Sequence, residues 1–117
     1  MRHLSKGRKF HRKRGQRRAF IKSLIANLVM AKRIETTEAR AKEIKSKTEK
    51  LLTLAKKQNT ASLRILISRI GAQAAKELFY KVAPEFSSRA GGYLRIIKSP
   101  RTRKRDASKM VIIEFVK

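Results

Sequence analysis

Residues 32–57 read KRIETTEARAKEIKSKTEKLLTLAKK, and this stretch determines the fold class. Its beginning, Arg33 to Thr36, is short and contains β-branched residues, which favours a brief strand. Thr36 or Thr37 is a natural N-cap, and Glu38 then lies in the first helical turn, where the helix dipole stabilises an anion. Six side chains that follow, apolar except for Thr48, fall on one stripe of an amphipathic helix. They are Ala41, Ile44, Thr48, Leu51, Leu52 and Ala55.

Three further helices are predicted around this unit. One begins at about Gln16 and carries apolar residues at helical spacing. Another spans about Thr60 to Ile70 and ends at Gly71. The last spans about Ala72 to Ala83 and is expected to stop at Pro84, because proline has no N–H and disrupts a helix interior. Their apolar stripes are interpreted as core and consist of Phe20, Ile21, Leu24, Ile25, Leu28, Val29, Leu63, Leu66, Ile67, Ile70, Ala75, Leu78, Phe79 and Val82.

The last thirty residues have a different pattern. Residues 87–99 and 109–117 are rich in β-branched and aromatic side chains, and a polar, basic loop, 99–108, separates them. Two such runs predict a hairpin. Together with the strand near Ile34, the hairpin gives an α+β domain in which about four helices pack on a small sheet of about three short strands. We expect one globular domain, residues 15–117, preceded by a basic extended tail, residues 1–14.

The charge of the chain is far from balanced. It holds 32 basic and 8 acidic residues among 117, a formal net charge of +24. Residues 1–34 contain twelve of the basic residues and none of the acidic ones. Because such an excess repels itself strongly at low salt, a polyanionic partner is expected to neutralise it in the working state.

The N-terminal segment MRHLSKGRKFHRKRGQRR, residues 1–18, is the clearest functional signal. Nine of these residues are Lys or Arg, and the first fourteen show no hydrophobic periodicity. Blocks of like charge typically bind nucleic acid, and arginine-rich segments fold on RNA. A solvated arm that only confers solubility is the alternative interpretation. The residues expected to bind RNA here are Arg2, His3, Lys6, Arg8, Lys9, His11, Arg12, Lys13, Arg14, Arg17, Arg18 and Lys22.

A second basic run, RTRKR at 101–105, lies at the tip of the predicted hairpin. Four cations on an exposed loop favour a phosphate-binding finger, since Arg makes bidentate contacts with phosphate and Lys supplies a point charge. A charged turn that keeps the sheet edges soluble is the plainer interpretation. The candidate RNA-binding residues are Arg101, Arg103, Lys104 and Arg105.

A third candidate is SRAGGYLRI at 88–96. Its two glycines permit positive φ or a close approach of the backbone to RNA. The aromatic ring of Tyr93 is a candidate for stacking on a base or ribose. Alternatively, the glycines only set the turn into the strand. The residues expected to lie against RNA are Arg89, Gly91, Gly92, Tyr93 and Arg95.

The sequence argues against catalysis and against a bound metal or cofactor. It has no Cys and no glycine-rich nucleotide-binding loop, and the single Asp is Asp106. Both histidines, His3 and His11, lie in the predicted tail, where nothing rigid would orient them as acid–base groups or metal ligands. No apolar run approaches the roughly 20 residues of a membrane span, and no secretory signal is recognisable. A cytoplasmic protein is expected.

Several motifs together resemble the L-seventeen family of bacterial large-subunit ribosomal proteins. They are MRH at 1–3 with GR at 7–8, TT-x-x-R-A-K-E at 36–43, L-x-x-L-A-K at 51–56, P-x-F-x-x-R-x-G-G-Y-x-R-I at 84–96 and the ending MVIIEFV at 110–116. The resemblance spans essentially the whole chain, and the combination is specific although each piece alone is weak.

The resemblance implies a two-layer α+β domain with a small mixed sheet, and a basic N-terminal extension on large-subunit ribosomal RNA. It also implies a surface position near the exit of the peptide tunnel and a structural role in subunit assembly and translation, without catalysis. Its RNA-facing positions are the cations from Arg2 to Arg18 and the Arg89–Arg95 element, whereas the 101–105 loop varies in the family. The implied partners are large-subunit ribosomal RNA and neighbouring ribosomal proteins, with the chain a monomer in the ribosome.

Two other function classes remain as alternatives. A DNA-compacting or DNA-regulating protein would bind duplex DNA comparably and be a symmetric dimer, but the sequence shows no dimer zipper. A membrane-active basic protein would leave the apolar face of the first helix free, whereas the other helices carry stripes that match it. No membrane partner is therefore expected.

Overall fold

The computed structural model describes residues 8–116, in which helices pack on a three-stranded sheet. The α+β class predicted from the sequence is confirmed. In chain order the elements are α1 (Arg14–Ala31), β1 (Arg33–Thr37), α2 (Glu38–Ala55), α3 (Thr60–Ile70), α4 (Ala72–Glu77), a π-helical turn (Leu78–Val82), α5 (Ala83–Glu85), β2 (Leu94–Thr102) and β3 (Lys109–Phe115).

The strand-to-helix unit predicted from residues 32–57 is present as β1 and α2. Thr37 caps α2, because its side-chain hydroxyl accepts a hydrogen bond from the Arg40 N–H at 3.4 Å. Two ion pairs form on the solvent-exposed face of α2, Glu38 with Lys42 at 2.9 Å and Glu43 with Lys47 at 4.0 Å. All six residues of the predicted apolar stripe are buried, so α2 lies between the sheet and the other helices.

Helix α1 begins at Arg14, slightly before the predicted start at about Gln16. Two hydrogen bonds organise this end: the Lys13 N–H donates to Gln16 Oε1 at 3.2 Å, and the Arg17 N–H donates to the Lys13 carbonyl at 2.7 Å. The last residue of the predicted tail is therefore helical. Residues 1–7 of that tail lie outside the described residues.

The prediction that Pro84 stops the fourth helix is wrong. The helical path continues from α4 through the π-helical turn into α5, and Pro84 lies inside the first turn of α5. Pro84 has no N–H to donate to the Phe79 carbonyl five residues earlier. That carbonyl instead accepts a hydrogen bond from Gln58 Nε2 at 2.8 Å. The π-helical turn, which is wider than an α-helical one, and the hydrogen bond from Gln58 together allow a proline at this position.

The sheet has the strand order β1-β3-β2, and both pairings are antiparallel. The expected mixed sheet is therefore wrong. β2 and β3 form a hairpin, which makes them antiparallel, and β1 pairs with β3 rather than with β2. In the central register Ile113 lies opposite Ile34 on one side and Ile96 on the other.

The hairpin is longer than predicted. β2 extends to Thr102, with an irregular register between Lys98 and Thr102, so most of the first half of the predicted 99–108 loop is strand. The turn is closed by two hydrogen bonds, Arg103 N–H to the Ser108 carbonyl at 3.1 Å and Ala107 N–H to the Arg103 carbonyl at 3.0 Å. The extended strands carry the basic tip well beyond the core.

Candidate nucleic-acid interface

A groove runs between α1, α2 and α3, and we call it the helical groove. Its volume is about 1180 Å³. Side chains of all three helices and of the segment before α1 line it. The cations among them are Arg8, Lys9, Arg14, Arg17, Arg18, Lys22, Lys47, Lys50 and Arg69.

Among the described residues, the helical groove is strongly cationic, since these nine cations face a single carboxylate, that of Glu43. Arg8 and Lys47 bind that carboxylate, with N–O distances of 3.2 and 4.0 Å. The first turn of α1 contains no acidic residue to offset the positive end of its dipole. An anion in the groove would interact favourably with the surplus cations and with that dipole.

The floor of the groove is apolar. Ile25 and Ile70 are core residues there, and Ile65 is 40% exposed. An apolar floor and a cationic rim suit a polyanion that also carries flat, weakly polar surfaces, as the faces of nucleic-acid bases are.

The segment before α1 is packed against the domain. The Phe10 and Phe20 rings lie edge to face with centroids 5.4 Å apart, and the Arg12 guanidinium carbon lies 3.8 Å from the Phe20 centroid. Arg12 Nη1 donates to the Phe10 carbonyl at 2.9 Å, and Arg17 Nη1 donates to the Arg12 carbonyl at 3.1 Å. Phe10 and Arg12 are thus held against helix α1. Of the predicted contacts, Arg2, His3 and Lys6 fall outside the described residues.

A second opening, which we call the hairpin cleft, lies between residues 8–12, the start of α2 and the β2–β3 turn, and its volume is about 870 Å³. It brings together predicted residues from both ends of the chain, His11 and Arg12 from the tail and Arg103 from the hairpin. Arg8 lines both the cleft and the helical groove, so the two openings share a border.

The four cations of the hairpin tip form two groups: Arg101 and Arg103 each pair with a carboxylate, and Lys104 and Arg105 are exposed. Arg101 forms an ion pair with Glu35, and Arg103 forms a bidentate pair with Asp106, from Nη2 at 2.7 Å and from Nε at 3.2 Å. The Ser108 N–H and the Arg103 guanidinium hold the pKa of Asp106 below its ordinary value. Lys104 and Arg105 are exposed at the tip.

The prediction that Tyr93 stacks on RNA is wrong, because its side chain belongs to the core. Tyr93 is 1% exposed, and its ring lies edge to face with Phe86 at 5.6 Å. Lys56 Nζ donates a hydrogen bond to the Tyr93 hydroxyl at 3.0 Å, which lowers the pKa of the phenol. No face of the ring is left for a base.

In the glycine segment, the Arg89 side chain folds over the backbone that follows it. Arg89 Nε donates to the carbonyls of Gly91 at 3.0 Å and Gly92 at 3.2 Å, and Gly92 has φ +63°. Arg95 is exposed but binds Glu114 at 2.9 Å. None of residues 89–95 lines the helical groove or the hairpin cleft.

Six cations of these openings are not among the residues that the sequence predicted to bind RNA: Arg40, Lys42, Lys47, Lys50, Arg69 and Lys109. The helical spacing of Lys47 and Lys50 indicates a shared face, but only the packing of α1 and α3 against α2 shows that this face borders a groove.

Within residues 8–116, no cluster of His, Asp and Glu side chains is arranged to hold a metal ion. A search of the same residues finds no helix with the length and apolar character required to span a membrane.

The sequence matches the family described as Ribosomal protein L17 over residues 20–116. The chain belongs to this family. Relatives named large ribosomal subunit protein bL17 are similar along nearly its whole length. That of Thermodesulfovibrio yellowstonii is 43% identical and the alignment covers 99% of this chain and 87% of the relative. Those of Persephonella marina and Hydrogenobaculum sp. are 43% and 41% identical, with 99% of this chain and 95% and 99% of the relatives covered.

Family membership confirms the resemblance inferred from the motifs. The chain is a structural protein of the bacterial large ribosomal subunit, and therefore of the cytoplasm and the translation machinery, and it is not an enzyme.

Proposed function

We propose that this ribosomal protein binds large-subunit ribosomal RNA through the helical groove, the hairpin tip and its basic N-terminal segment, and thereby supports subunit assembly. The observation that carries the proposal is the groove itself, where nine cations face one carboxylate. The protein acts as a monomer among neighbouring ribosomal proteins.

The mechanism is electrostatic. Phosphates of adjacent RNA segments repel one another, and the cations of the groove neutralise them while the packed helices keep these cations in fixed positions. Each neutralised phosphate releases counterions, so affinity falls steeply with salt. With about six to ten phosphates bound, affinity should fall about 10³-fold or more between about 50 and 200 mM salt. Shape rather than base sequence dominates recognition, because the A-form major groove is too narrow for side chains.

The test compares binding of the full chain to a transcript of large-subunit ribosomal RNA and to random duplex DNA at two salt concentrations. We expect clear preference for the RNA. Equal affinities would contradict the proposal and favour the DNA-binding alternative.

A matched pair of variants tests the groove. One replaces Lys22, Lys47 and Lys50 with Gln; the control replaces Lys57, Lys76 and Lys81, which are exposed and line neither opening. Lys47 and Lys81 each form an ion pair with a glutamate one helical turn earlier. The groove variant and the control variant therefore each lose one ion pair of the same kind. The groove variant should lower the slope of log affinity against log salt by about 2 to 3 relative to the control. Equal slopes would rule out the groove as the contact.

A further inference from the structure

Three arginines converge in the hairpin cleft from three separate segments of the chain. Arg12 precedes α1, Arg40 lies in the first turn of α2, and Arg103 lies at the β2–β3 turn. The guanidinium carbons of Arg12 and Arg40 lie 3.8 and 4.9 Å from the centroid of the same ring, Phe20. The phenyl ring therefore holds two cations close together.

This arrangement is electrostatically unfavourable without a ligand. Within residues 8–116, neither Arg12 nor Arg40 has a carboxylate within ion-pair distance. Burial lowers the pKa of Arg40, and the nearby charges of Arg103 and Arg12 lower it further. An arginine remains protonated in proteins, so Arg12 and Arg40 keep their charges beside each other on Phe20, and an anion that enters the cleft would offset their repulsion.

The third arginine is oriented by the turn that carries it. Asp106 accepts from Nε and Nη2 of Arg103 and also from the Ser108 N–H at 3.1 Å. Because Asp106 occupies one edge of the guanidinium, the two N–H groups of Arg103 Nη1 remain as donors. Asp106 is therefore the residue that positions Arg103 at the cleft.

We propose that the hairpin cleft is a separate phosphodiester-binding site, in which Arg12, Arg40 and Arg103 bind one phosphate of the RNA backbone. Guanidinium groups match phosphate oxygens in geometry and charge. Arg8 lines both the cleft and the helical groove, so an RNA strand bound in the groove can continue into the cleft. For this reason the ligand is the RNA backbone rather than a free anion. The inference rests on the proposed function.

The test measures binding of a large-subunit ribosomal RNA transcript to Arg40→Gln, to Arg103→Gln and to the double variant. The matched control is Arg64→Gln, because Arg64 is exposed on α3 and lines neither opening. Each cleft variant should weaken binding about tenfold and reduce the salt slope by about 1 relative to the control. The double variant should lose less than the product of the two single effects, because both arginines share one phosphate.

Stability is measured in parallel, because Arg40 also packs on Phe20. Arg103 lies at an exposed turn and pairs with Asp106, so its variant should lose no more stability than Asp106→Asn, and Arg40→Lys keeps the charge while removing the planar fork. An intermediate loss for Arg40→Lys supports the site. If the cleft variants bind ribosomal RNA with the same affinity and salt slope as Arg64→Gln, and the wild type still prefers ribosomal RNA to duplex DNA, this site is overturned and the proposed function is not. A wild type without that preference would overturn the proposed function itself.

Discussion

Gln58 donates a hydrogen bond from its side-chain amide to the Phe79 carbonyl, 21 residues further along the chain, at 2.8 Å. The same amide nitrogen donates to the Ala55 carbonyl at 3.0 Å, so it joins the end of α2 to the π-helical turn. The contact compensates for the missing N–H of Pro84, and it explains how a proline lies within the helical path.

Replacing Gln58 with Ala should therefore destabilise the domain. The Phe79 carbonyl would lose its donor in a partly buried position, which costs about 1–3 kcal/mol. Urea unfolding of this variant and of Gln73→Ala, an exposed glutamine in α4, measures the difference. Equal free energies of unfolding would show that the contact does not matter.

Deleting residues 1–14 should leave a cooperatively folded domain, because the core lies in later residues. The deletion should lower the free energy of unfolding modestly, because the contacts of Phe10 and Arg12 with Phe20 are lost. That cost should be about 1–2 kcal/mol.

Circular dichroism during thermal melting measures this cost. Deletion of residues 1–7 is the control, because it keeps both contacts with Phe20. Loss of a cooperative transition after the longer deletion would contradict the assignment of the core. Both deletions should weaken incorporation into the large subunit, because both remove tail cations.

Tyr93→Phe should affect stability rather than RNA binding. The variant loses the hydrogen bond from Lys56 Nζ, at a cost of about 1 kcal/mol, but keeps the ring packed on Phe86. Binding of ribosomal RNA should be unchanged at every salt concentration. Weaker RNA binding without a change in the melting temperature would contradict this assignment, because it would show that the Tyr93 hydroxyl contacts RNA.

The hairpin turn should weaken in acid. The pKa of Asp106 is lowered in the folded state, mainly by the hydrogen bond from the Ser108 N–H and then by Arg103. A lowered pKa means that this contribution to stability is present above the ordinary value of the carboxyl, 3.8, and is lost as the pH falls through the folded-state value.

Wild type should therefore melt above Asp106→Asn at neutral pH, and the gap should close as the pH falls below about 4. Glu77→Gln is the control, because its carboxylate pairs with Lys32 and Lys81, both outside the hairpin. A gap that stays constant with pH would contradict the role of the ionised Asp106.

The sequence patterns predicted the fold well where one element alone determines the outcome. The stripe of α2, the cap at Thr37 and the end of α3 at Gly71, which has φ +91°, follow from local spacing and local backbone preference. The continuation of the helix past Pro84 was predicted wrongly, because the residue that donates to the free Phe79 carbonyl, Gln58, is distant in sequence.

The candidate site was predicted only in part for the same reason. Charge density identified the cations near both ends of the chain, but the helical groove depends on which faces of α1, α2 and α3 meet. Arg40 lines the hairpin cleft and contacts Phe20 of α1, and sequence spacing does not indicate a contact between these two helices. Conversely, the aromatic and glycine pattern at 88–96 marked a core anchor and a turn rather than a stacking platform.

A density map of the purified large subunit tests the central claim most directly, at the helical groove near Lys47 and Arg69. We predict phosphates of ribosomal RNA within hydrogen-bonding distance of these side chains, and release of the protein from the subunit only at high salt. A groove that faces open solvent, with no nucleotide against it, would contradict the account.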